Sequence, residues 1–242
     1  MKIVRGVTAV LLWIAVLALS AVPVSTKGFI RFVSGSTWLS RGTTVQATML
    51  ALSLVLILAL SKGKLARYGF RPARASDLKQ AFLYGTAAAV AVQAVVAVLW
   101  KILGHSEGHP ALAGSSFVRI VITVWVIASI CEETLHRGLI QSFLEPLRIH
   151  TMTVFGIQLS FPVIAAAVLF GSMHMMLLTM AADAVHVGGI VGSATVLGLV
   201  AGYYREKTGS LLPAFLVHML FNACGSASEY IQRLVSIVIS EG

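Results

Sequence analysis

Eight consecutive residues, Cys131-Glu132-Glu133-Thr134-Leu135-His136-Arg137-Gly138, put two carboxylates, an imidazole and a guanidinium inside a largely apolar run. Ionisable groups are costly in hydrocarbon, so each faces a partner or a cavity and is a functional candidate by default. Glu133 and Arg137 are four residues apart and share one helical face, where they can pair. Glu132 points about 100° away from Glu133. It is freer of the arginine and is the better placed of the two to act as a general base. The plainer alternative is a buried ion-pair cluster that only fixes helix packing, although such clusters are weak devices for stability.

Two further runs carry polar groups. Phe170-Gly171-Ser172-Met173-His174 places one histidine in an apolar segment, where a packed ring with a single hydrogen bond is the competing explanation. In His218-Met219-Leu220-Phe221-Asn222 the four-residue spacing sets His218 and Asn222 on one face, both able to donate into a cavity. Alone, that pair could equally tie helices together. The remaining polar candidates have simpler roles. His105, His109 and His150 fall in loops and are solvated. Asp183 and His186 lie near a helix start, where capping suffices, and the direction of His136 is not fixed by its spacing. Cys131 and Cys224 lie in apolar runs and are expected as buried structural thiols rather than a disulfide.

The elements that must position these groups are membrane spans. The 242 residues are 57% hydrophobic and only 11% charged, with a mean hydropathy of +0.90. Soluble domains carry about a quarter charged residues. The expected fold is therefore all-α: one polytopic transmembrane bundle, residues 1–242, of about seven to eight spans at ~20 residues each. The net charge of +9 invites a nucleic-acid reading. That reading fails because the Lys and Arg residues cluster between apolar runs, where they orient helices. The spans are expected near residues 7–24, 45–60, 78–103, 116–144, 159–180, 184–204 and 211–224. Residues 228–240 form an eighth span or an interfacial helix. The first run carries the small-x-small pattern of a cleavage site but is long enough to span, and it reads as an uncleaved helix. Ser76-Asp77 should cap the third helix. Gly188, Gly189, Gly192 and Gly198 should let helix backbones approach closely. The basic loop from Lys62 to Lys79, Arg148 and the Arg205/Lys207 turn place the N-terminus in the cytoplasm, against the contrary charges of Lys27, Arg31 and Arg41.

Taken together, Glu132-Glu133-x-x-x-Arg137, Phe170-x-x-x-His174 and His218-x-x-x-Asn222 resemble the three motifs of the CPBP family of intramembrane proteases. This is the CAAX protease and bacteriocin-processing group that includes the type II CAAX prenyl endopeptidase. The resemblance covers residues 116–227, with Gly209-Ser210-Leu211-Leu212-Pro213 similar to the family's approach to its last motif. It implies that Glu132 activates water with the help of His174, that His218 and Asn222 stabilise the oxyanion, and that Glu133 and Arg137 hold the site in shape. The chemistry agrees, since amide hydrolysis needs an activated water, oxyanion donors and an accessible cavity. There is no Gly-x-Ser-x-Gly elbow, and neither cysteine lies in a nucleophile motif. Family members are often called metalloproteases, and His174, His218 and Glu132 offer a two-histidine, one-carboxylate zinc set. The metal-free mechanism is favoured because Asn222 is a poor zinc ligand and a good oxyanion donor. The expected substrate is a membrane-embedded or membrane-tethered protein or peptide, within the bilayer of a bacterial cell. A non-catalytic scaffold or immunity protein is one alternative. A transporter is another, though it would show repeat-related halves with interrupted helices, and none is visible.

Overall fold

A computed structural model describes residues 2–34, 40–104, 115–154, 156–180 and 182–241. The chain forms α1 (Lys2–Ala21), a short α2 (Lys27–Ser34), α3 (Arg41–Ser61) and α4 (Ala75–Ile102). These are followed by α5 (residues 117–144), α6 (Phe161–Met173), α7 (Ala184–Thr208) and α8 (Leu212–Glu241). Five helical segments, α1, α3, α4, α6 with its following turn, and α7, are long and apolar enough to cross a membrane. The bundle is the all-helical membrane architecture that the composition requires.

Local chemistry sets the boundaries. Ser40 opens α3 with a reciprocal capping box, its Oγ accepting from the Thr43 N–H while Thr43 Oγ1 accepts from the Ser40 N–H. Asp183 opens α7 by accepting from the N–H groups of Val185 and His186, as expected. Pro162 lies in the first turn of α6, where its missing N–H costs nothing. The third helix departs from expectation: it begins at Ala75 with Arg74 at the cap, so Ser76 and Asp77 lie inside its first turn. Asp77 there still complements the helix dipole.

Three features were not anticipated. The loop after α5 contains a two-stranded antiparallel hairpin, β1 (Thr151–Val154) with β2 (Ile157–Ser160), Thr151 opposite Ser160. Its strands are short and mostly exposed, too slight to give a readable alternation. Residues 228–240 continue α8, which runs unbroken from Leu212 to Glu241 through Gly225. Helix α5 is continuous but switches twice to π-type turns, over Val121–Ala128 and Thr134–Gln141. Such turns occur mostly at functional sites.

Helices α6 and α7 pack on each other most extensively, and α4 packs almost as extensively on α8. Of the four glycines of α7 expected at close contacts, only two are so used. A methyl group at Gly198 would stand 2.8 Å from Ala167 Cα, and one at Gly189 would strike the Trp100 indole. Gly188 and Gly192 face open space. The basic loop after α3 is tied down from the other side of the fold. Arg67 O accepts from Arg205, Gly69 O from the Leu211 N–H, and Arg71 O from Ser210 Oγ. Cys131 and Cys224 are free, the first fully buried.

Candidate active site

Phe170, in α6, is the centre about which the polar groups are arranged. Its ring meets His136, His174 and His218 edge-on, at centroid separations of 5.0, 5.2 and 5.3 Å. The Arg137 guanidinium lies over the ring, 4.8 Å from its centroid. A quadrupolar face so used attracts the cation and fixes the imidazole edges.

Helix α5 supplies the carboxylates, and their environments differ. Glu133 is fully buried, and its Oε1 accepts from Arg137 Nη1 at 2.8 Å. The same oxygen is 2.8 Å from His218 Nδ1. Glu133 therefore links the end of the first motif to the last, across from α5 to α8. Glu132 is 7% exposed and separate from Arg137. Its Oε1 accepts from Gln46 Nε2 of α3 at 2.6 Å, and its Oε2 is 3.7 Å from His218 Nε2. The 3.7 Å separation is too long for a hydrogen bond.

The imidazole tautomers follow from their partners. Trp13 Nε1, which can only donate, meets His136 Nε2 at 3.0 Å. His136 therefore carries its proton on Nδ1, which donates to Glu132 O at 2.8 Å. His136 is thus a buried structural residue of the turn that bears Glu132. His174 Nδ1 lies 3.1 Å from Phe170 O and donates to it, which turns Nε2 outward.

His174, His218 and Asn222 line one cavity of about 140 Å³ between α4, α7 and α8, together with Phe170. Glu132 does not line it. Gln46 of α3 holds one oxygen of the carboxylate. Three of the four residues named from the sequence thus line one cavity, and Glu132 stands beside His218. Asn222 also differs from a free donor. Its Nδ2 donates to Val124 O at 2.9 Å and to Ser129 Oγ at 3.2 Å, so both amide hydrogens are engaged with α5.

His150 is exposed near Lys2, and His105 and His109 lie outside the described residues. His186 does more than accompany a cap, since it is buried with its ring stacked on Trp100 at 4.3 Å. Sequence reasoning missed Trp13, Gln46 and Ser129. A tryptophan and a glutamine within apolar spans were the available signals, because a polar atom in a span seeks a partner. Among the described residues no three His, Cys, Asp or Glu side chains are grouped to hold a metal ion.

The bundle thus brings His174, His218 and Asn222 to one cavity, with Glu132 and Glu133 both beside His218. Residues 114–224 match the family described as Type II CAAX prenyl endopeptidase Rce1-like. That segment, a little under half of the chain, holds all three motifs and is similar to the CAAX-type intramembrane endopeptidases. No curated protein and no solved structure matches the chain.

Proposed function

We propose that this chain hydrolyses a peptide bond of a membrane-embedded or membrane-tethered protein with a water activated by Glu132. The observation that carries this reading is the pairing of Glu132 Oε2 with His218 Nε2 at 3.7 Å, beside a cavity reached by His174 and Asn222. Gln46 occupies one carboxylate oxygen and leaves the other facing His218. Glu132 Oε2 takes a proton from water as the water adds to the carbonyl carbon, and His174 Nε2 orients that water. His218, held by Glu133 through Nδ1, offers its Nε2 proton to the developing oxyanion. With both ring nitrogens donating His218 is an imidazolium, and before Glu132 takes the proton Glu132, Glu133, Arg137 and His218 together carry no net charge, which suits a buried cluster. Asn222 becomes a second oxyanion donor by giving up its longer bond, the one to Ser129. The proton on Glu132 then passes to the leaving amine as the tetrahedral intermediate collapses. The reading places the N-terminus in the cytoplasm by the charge distribution.

The test is cleavage of a fluorogenic prenylated CAAX-type peptide by the purified chain in lipid nanodiscs, wild type against Glu132→Gln. Cleavage by wild type and its loss in a folded Glu132→Gln variant is the expected result. A Glu132→Gln variant as active as wild type would remove Glu132 from the chemistry.

A further inference from the structure

Helix α4 is outside the family-matched segment, and between Ala87 and Leu99 its only polar side chain is Gln93. Gln93 is half-buried and lines the cavity that holds His174, His218 and Asn222. Its one contact among the described residues is a long one, Nε2 to Ser193 Oγ of α7 at 3.4 Å. A primary amide in a membrane span with so little hydrogen bonding is costly unless something else completes it. Among the larger side chains that line the cavity, four small residues break the wall. Gly189, Ser193 and Ala194 come from α7, and Gly225 comes from α8. A methyl group built at Gly225 would stand 3.4 Å from Gln93 Nε2, so the amide lies close along bare backbone.

We infer that Gln93, with Ser193, is a substrate-binding site that takes the backbone of an extended polypeptide segment and lays it across the cavity towards His218. The reading rests on the proposed protease activity. A peptide cleaved within a membrane must leave the helical state, which exposes backbone N–H and C=O groups that lipid cannot satisfy. The primary amide donates and accepts at once, so it pairs with both groups of one peptide unit. Small side chains beside it admit main chain at close range, as a bulky wall would not. Recognition at this position is of backbone, and it tolerates many side chains.

The test separates binding from chemistry. A fluorescent prenylated CAAX-type peptide is titrated onto full-length protein in nanodiscs, using Glu132→Gln and Glu132→Gln/Gln93→Leu. A loss of at least tenfold in affinity on adding Gln93→Leu, with unchanged thermal stability, is expected. In the Glu132-intact background Gln93→Leu should raise KM by a similar factor and leave kcat within about threefold. Gln93→Asn, which keeps the amide, should recover part of the loss, and Gly225→Val should reproduce it by filling the backbone channel. Equal affinity with and without Gln93→Leu overturns the inference, as does a fall in kcat with KM unchanged. If Gln93→Leu does not fold, Gly225→Val with wild-type affinity overturns it instead. Absence of peptide binding to any form overturns it too. Continued cleavage by Glu132→Gln would overturn the general-base assignment alone, since the binding comparison still decides Gln93.

Discussion

At the scale of single residues, the two adjacent glutamates share His218 but differ in their other partners, Gln46 for Glu132 and Arg137 for Glu133, and the proposed mechanism gives them separate work. Glu132→Gln keeps size and the contact region with Gln46 but removes the base, so cleavage should vanish while the protein remains folded. Glu133→Gln instead leaves Arg137 fully buried without its ion pair. Breaking a buried pair from one side costs about 3–5 kcal/mol, and a thermal melt should register it. Equal stability of the two variants would count against this division. Gln46→Leu frees the second carboxylate oxygen of Glu132. It should lower kcat with KM unchanged and add nothing in a Glu132→Gln background. Asn222→Ala removes a proposed oxyanion donor and should cost about two to three orders of magnitude in kcat. Ser129→Ala, which releases the weaker of the two bonds on the same amide, should be mild.

At the scale of helices, the site depends on close approach. The backbone of α7 at Gly198 meets α6 at Ala167, with Arg137 Nη2 only 3.0 Å from a methyl built there. Gly198→Leu should force α6 and α7 apart and displace the guanidinium from Phe170. The expected outcome is a lowered thermal midpoint together with lost activity, and a stable, active Gly198→Leu protein would show that this contact is dispensable. Helix α1 acts on the site from outside the family-matched segment. Trp13→Phe removes the donor that fixes the His136 tautomer. A lost buried hydrogen bond costs about 1 kcal/mol, more if the acceptor is left unpaired. Hydrogen exchange at the turn bearing Glu132 should rise in that variant.

At the scale of the whole molecule, the question is what activates the water. A purified protein that keeps its activity after exhaustive chelation and holds sub-stoichiometric zinc is the outcome the glutamate mechanism requires. Stoichiometric zinc with a near-normal Asn222→Ala rate would overturn that mechanism and leave the protease assignment standing. In a metal-dependent enzyme the bound water would ionise near pH 7 without Asn222. The α1–α3 region, lacking the family motifs, nevertheless packs against α5 and reaches Glu132 and His136 through two side chains. A chain beginning at residue 114 should therefore be inactive even if it inserts in a bilayer.

Sequence alone determined the class of the fold, because long apolar runs have no soluble alternative, and it singled out the candidate polar residues, because each one in a span is costly enough to need a reason. The Glu133–Arg137 pair was legible for the same cause, a spacing of four on one helix. Contacts between helices were not legible. That Glu133 rather than Glu132 holds His218 Nδ1, and that Gln46 claims one oxygen of Glu132, depends on helix rotations within the bundle. Spacing along one helix carries no information on those rotations. The hairpin after α5 and the unbroken α8 were hidden for a related reason. Short exposed strands leave no periodic signal, and Gly225 reads as a helix end although α8 continues through it. Tertiary packing about Phe170 therefore decided how the polar residues meet, since three imidazoles and a guanidinium share the space around one ring.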